Sequence, residues 1–293
     1  DIDSLATTGV TVTTLTAGMG NITFDQTGGQ TLAVTTSTAT GSIVITNAGA
    51  NLTATTVTAS GAGNDATLTT TTSGNVLVGA VSAADLATIT AAGSIEESGS
   101  DGTADVTATT IDLNAASGIG AAGTLEITGT TITADSTGTG NVDIDSLATT
   151  GVTVTTLTAG TGHITFDQTG GQTLAVTTST TTNGSITITN AGADLTVGTV
   201  TAGGTSRNVS LSTSTSGNIS VGNVTAAGDT ATITAAGAIV ENGSDGGDDV
   251  TAAIIDLDAA SGIGAGGNAL EIAGQTVTAN NTGDAAVNLV NNS

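Results

Sequence analysis

The sequence contains no cysteine, proline, tryptophan or tyrosine, and only two of its 293 residues are phenylalanine. Without cysteine there is no disulfide framework and no thiolate metal site, although the compartment is left open. With aromatic residues reduced to Phe24 and Phe166, little bulk remains to fill a thick globular core. Basic residues are nearly missing as well: Arg207 stands alone against 25 acids, for a net charge of −24. Such a surface repels nucleic acid and anionic lipid and favours divalent cations as partners. No apolar run approaches the length needed to cross a bilayer.

Catalytic equipment is equally thin. The one histidine, His163, has Asn21 as its counterpart in an internal repeat, so no repeated acid–base role can depend on it. Arg207 likewise corresponds to Asn64. The chain is therefore expected not to be an enzyme. A lyase-like carbohydrate enzyme would need a cleft with basic or aromatic residues.

What is present is small and repetitive: 43 glycines, abundant threonine, and alanine, valine, isoleucine and leucine as the apolar set. Residues 1–38 return as residues 143–180 with only Met19→Thr161 and Asn21→His163 changed. Further on, Ile111-Asp112-Leu113 matches Ile255-Asp256-Leu257, and Leu125-Glu126-Ile127 matches Leu270-Glu271-Ile272. The offset grows by single-residue insertions, which loops tolerate and packed strands do not. Two tandem repeats follow, 1–142 and 143–287, with 288–293 beginning a diverged further coil. Asp1 is neither a start Met nor part of a signal peptide, and its copy Asp143 lies inside the strand-like run Val142-Asp143-Ile144-Asp145. The chain reads as a segment of something longer.

Within each repeat, short runs alternate apolar and polar residues between glycine, asparagine, aspartate and serine; Val10-Thr11-Val12, Ile22-Thr23-Phe24 and Ile111-Asp112-Leu113 are examples, while Ile43-Val44-Ile45 and Val76-Leu77-Val78 are apolar throughout. Alternation is the strand period, and threonine and glycine disfavour helix. Glycine-led strand starts mostly recur every 19 to 25 residues, with one 33-residue step from Gly41 to Gly74. A period near 20 with three short strands per turn predicts a parallel, right-handed β-helix built as one continuous solenoid, with almost no α-helix. Ile22, Phe24, Leu32, Val34, Ile43 and Ile45 should point inward, with their copies Ile164, Phe166, Leu174, Val176, Ile186 and Ile188. The polar stretches 96–102 and 241–246 should form projecting loops.

Phrases such as AAGSIEESGSDGTADVTATTIDLNAASGIGAAGTLEI and GSIVITNAGANLT resemble the repeats of very large bacterial surface proteins, the filamentous-haemagglutinin-like adhesins and their β-strand-repeat relatives. The resemblance covers nearly the whole chain as a style of repeat. It implies a secreted right-handed β-helical shaft at the bacterial cell surface, of the kind that builds filaments and biofilm.

Candidate binding chemistry rests on oxygen. Asp143-Ile144-Asp145 and Asp256-Leu257-Asp258 put two carboxylates on the outer face with an apolar residue pointing in, as Asp1-Ile2-Asp3 does. Similar strands stacked at roughly 4.8 Å would bring carboxylates into repulsion unless a cation sat between them. Oxygen-only ligands suit Ca²⁺, so Asp143, Asp145, Asp256 and Asp258, with Asp101 and Asp245 from the loops, are the candidate metal ligands. The plainer reading is a solvated acidic face, since no complete calcium loop is present. Threonine triplets such as Thr14-Leu15-Thr16 and Thr56-Val57-Thr58 suggest hydroxyl rows like those of ice-binding β-helices, although their uneven spacing favours ordinary soluble strands. Sequons at Asn21, Asn51, Asn208, Asn218, Asn223, Asn242 and Asn280 admit glycans. The expected function is structural: an extracellular shaft that continues end to end with itself, against the alternative of a Ca²⁺- or ice-binding module.

Overall fold

The structure, a computed structural model, describes residues 1–99, 101–243, 246–264 and 268–293. The described residues form strands and turns and no helix, and the paired strands run parallel. The chain divides into two compact units, Asp1–Leu147 and Ala148–Ser293. Each is a β-solenoid, and about 13 turns of roughly 22 residues account for the chain.

In the first unit the turns up to Leu86–Ala91 each contribute a short strand and a longer one. The short strands Ile22–Gln26, Ile43–Asn47, Ala66–Thr70 and Leu86–Ala91 stack in register. So do the longer Val10–Ala17, Leu32–Ala39, Leu52–Ala59 and Val76–Ala83. The longer strands are bent. In Leu32–Ala39, Val34 and Ser37 are both inside, with two consecutive residues outside between them. A straight strand alternates at two residues, so a spacing of three marks a corner. Each turn thus has three short arms, as the alternating runs suggest. The second unit repeats the scheme with Val152–Ala159, Leu174–Thr181 and Leu195–Ala202 stacked beside Ile164–Gln168, Ile186–Asn190 and Val209–Thr213.

The turn length is wider than a fixed period near 20. Leu32 pairs with Leu52, 20 residues on, whereas Val81 pairs with Val106, 25 residues on. The 33-residue step has a simple origin. Gly41 precedes the short strand Ile43–Asn47 and Gly74 precedes the longer Val76–Ala83, so the two glycines stand at different corners.

All twelve residues expected inside are buried, with Phe24 at 4% exposure and Phe166 at 0%. The thin core needs no aromatic filler because β-branched and leucine side chains stack on their own kind: Ile22 on Ile43, and Leu68 on Ile89 and then Leu113.

Buried polar side chains close the corners. Gln26, Asn47 and Thr70 occupy one register column, all at most 1% exposed. Asn47 donates from Nδ2 to the carbonyls of Ala50 and Asn51, at 2.8 and 3.0 Å, and Thr70 donates to the carbonyl of Gly74 at 2.8 Å. Gln168, Asn190 and Thr213 repeat the column in the second unit. Each satisfies turn carbonyls that would otherwise be buried without a donor.

A second ladder runs through the glycine-rich turns. Asn51 accepts from the Asn75 N–H, and Asn75 accepts from the Ser94 N–H one turn further on. Asn21 accepts from the Ser42 N–H at 3.0 Å, and His163 Nδ1 accepts from the Ser185 N–H at 3.0 Å in the corresponding place. The histidine thus replaces asparagine as a backbone acceptor. Four sequon asparagines, Asn21, Asn51, Asn208 and Asn218, have their side-chain oxygens committed to such bonds. Close approach explains one glycine in particular: a Cβ on Gly140 would lie 1.6 Å from the Ser117 carbonyl oxygen.

Candidate functional site

Among the described residues, the stacked strands break after Ile95–Glu97 in the first unit and after Ile239–Glu241 in the second. The strand Val76–Ala83 is covered on the next turn by two separate pieces, Ile95–Glu97 on Val76–Val78 and Val106–Thr107 on Val81–Ser82. The described residues between them, 98–99 and 101–105, belong to no strand. Contrary to a loop spanning 96–102, Glu96 and Glu97 belong to a strand, and the excursion begins after them.

The chain re-enters the stack through Asp105. Its carbonyl accepts from the Val81 N–H at 2.7 Å and its N–H donates to the Glu126 carbonyl at 2.8 Å. Its Oδ2 accepts from the Glu126 N–H at 3.0 Å. The register places Glu126, in the strand Leu125–Thr128, directly opposite Asp105 on the following turn. The result is a trio: Glu97, Asp105 and Glu126 each offer a carboxylate oxygen within 4.8 Å of the others.

The second unit builds the same trio from Glu241, Asp249 and Glu271. The Asp249 carbonyl accepts from Val224 at 2.7 Å, its N–H donates to the Glu271 carbonyl at 2.7 Å, and its Oδ2 accepts from the Glu271 N–H at 2.9 Å. Asp105 and Asp249 are each only 4% exposed. In both units the Oε2 of the last glutamate, Glu126 or Glu271, is buried with no hydrogen-bond partner among the described residues.

Burial pushes the Asp105 carboxyl up to about 7, against the Glu126 N–H that favours its charged form; the charges of Glu97 and Glu126 push it further up. Glu126 is also raised, first by burial and then by Glu97. Asp101 behaves oppositely, held below its ordinary value by the Thr103 hydroxyl at 2.6 Å and N–H at 2.8 Å. Three carboxylates at this separation can keep a proton between them or take up a cation.

The aspartates marked out by the sequence are arranged differently. Asp143 and Asp145 project outward from Val142–Ser146, and Asp145 stands opposite Glu126, one turn beyond the first trio. Asp256 lies between Thr232 and Thr278, and Asp258 between Thr234 and Asn280, so no carboxylate ladder forms there. Asp101 lies in the first excursion, where its N–H donates to Glu97 Oε1 at 3.1 Å. Asp245 falls outside the described residues. Asp1, Asp3 and Asp25 do gather, but on the surface, with Asp1 and Asp3 exposed.

The buried Asp105 and Asp249 and the half-buried Glu126 and Glu271 are missing from the sequence-based set because none sits in a paired-acid triplet. Their signal is the spacing: an acid eight residues after the glutamate, then a third one turn later, kept in both repeats. The threonine triplets are also more ordered than their spacing suggests. Thr14-Leu15-Thr16, Thr36-Ser37-Thr38 and Thr56-Val57-Thr58 stack in one register. Arg207 donates from Nε to Asn183 Oδ1 at 2.9 Å on the neighbouring turn. No family model, curated protein or solved structure matches the chain.

Proposed function

We propose that the chain is a structural, non-enzymatic segment: the shaft or fibre-forming part of an extracellular bacterial surface adhesin or filament. The observation that carries this reading is the ladder of backbone bonds from turn to turn, continued through the turns by side-chain caps such as Asn51 to Asn75 to Ser94. A unit stabilised by its nearest neighbours is stiff and extends by repetition. Further support comes from the rare functional side chains, His163 and Arg207, both engaged in turn-to-turn hydrogen bonds.

Growth should proceed along the stacking direction. The net charge of −24 opposes lateral association at low salt, and divalent cations relax that opposition. Electron microscopy of the purified segment across salt and Ca²⁺ tests this. End-joined filaments are the expected result; dispersed particles under every condition would remove self-stacking from the proposal.

The stacked threonine triplets favour a second reading, an ordered hydroxyl surface that binds ice. Thermal hysteresis in a freezing-point assay would support it, and none is expected from a shaft.

A further inference from the structure

The two carboxylate trios lie apart from anything a shaft requires, and they recur in both units although some of the residues around them change. The seven residues between Glu97 and Asp105 differ from those between Glu241 and Asp249 at three positions, Ser98/Asn242, Thr103/Gly247 and Ala104/Asp248, yet the three acids of each trio are the same. We propose that Glu97–Asp105–Glu126 and Glu241–Asp249–Glu271 are each a binding site for a divalent cation of the size of Ca²⁺, which fastens the excursion to the coil beneath it.

Geometry sets the size. Two oxygens that both touch Ca²⁺ at about 2.3–2.6 Å can be no more than about 5 Å apart, and those of each trio lie within 4.8 Å of one another. Burial supplies an independent reason. The Oε2 of Glu126 and of Glu271 is buried with no hydrogen-bond partner among the described residues, and a carboxylate oxygen so placed is stabilised by a cation or a proton. The aspartate at the centre of each trio is 4% exposed, with its Oδ2 and backbone fixed by the ladder, so one ligand is held in place before any ion arrives. In the second unit an open polar cleft of about 340 Å³, lined by Asn223, Asn242, Asp248 and Asp249, provides access from solvent.

The two sites are not equal. Glu126 faces Asp145 on the following turn, whereas Glu271 faces Val290. The fourth carboxylate makes the first trio the tighter site. The competing occupant is a proton shared between the acids, which would also satisfy the orphaned oxygen.

Equilibrium dialysis of the full 293-residue chain against radioactive Ca²⁺, at pH 8 and physiological salt, separates these outcomes. The wild-type chain should take up two ions saturably, the first more tightly. Glu126→Gln and Glu271→Gln should each lose one, the double variant both, and Asp256→Asn with Asp258→Asn neither. Thermal melts guard against misfolding. In chelator the double variant should melt no lower than wild type, since glutamine keeps the shape and removes a charge, and added Ca²⁺ should raise only the wild type. Two saturable sites persisting in the double variant, or no saturable uptake by the wild type, would overturn the assignment.

Discussion

Ile89→Asp is expected to abolish cooperative folding of the unit that contains it. Ile89 is fully buried in the strand Leu86–Ala91, stacked between Leu68 on one side and Leu113 on the other. The substitution removes a large aliphatic contact and places a carboxylate in a column that offers it neither hydrogen nor cation. Together these cost on the order of 4 kcal/mol or more, comparable to the whole stability of a modest domain. Because each turn is stabilised chiefly by its neighbours, the defect also breaks the ladder on both sides. Thr90→Asn, one residue along and facing outward, should change stability by less than about 0.5 kcal/mol, since the next turn already carries Asn114 in that column. Urea unfolding followed by far-ultraviolet circular dichroism measures both. Wild-type stability in Ile89→Asp would show that the inward assignment is wrong.

The second large effect is a loss of stability with rising pH in the chelated protein. The Asp105 carboxyl titrates near 7 in the folded chain against an ordinary 3.8, and Glu126 is raised as well. A carboxyl raised on folding binds its proton more tightly in the native state than in the unfolded one. Its contribution is therefore complete below about pH 4 and is lost as pH rises through about 7. A fully sequestered group would lose ~4 kcal/mol over that window, and the half-buried edge formed by Glu97 and Glu126 reduces this to on the order of 2 kcal/mol. Melting temperatures between pH 4 and pH 8 should fall accordingly, and Asp105→Asn should flatten the profile. A chelated wild-type protein that gains stability over the same range would contradict this electrostatic picture.

The sequence discloses the coil more fully than the site, for a physical reason. Alternation in Ile22-Thr23-Phe24 reports directly on which side chains face inward, because a strand allows no other reading of that period. The repeated blocks then identify equivalent strands even where the turn length varies. Corners obey no such period. Asn47 and Thr70 look like ordinary turn residues, and only the structure shows them buried in one column. The trios are harder still, because Glu97, Asp105 and Glu126 come from two successive turns and an excursion between them. Paired acids such as Asp256-Leu257-Asp258 attract notice in a sequence, yet parallel stacking sets them against threonine and asparagine. What the sequence does carry is the repetition in both units of an acid eight residues after the glutamate and a third acid one turn later.

The proposed structural role outside the cell is tested most directly by immunogold electron microscopy of intact source cells, using antibodies raised against residues 1–142. Gold particles along filaments or fibres that extend beyond the cell envelope are the predicted result, with labelling lost after surface proteolysis. Label confined to the cell interior would contradict the extracellular shaft.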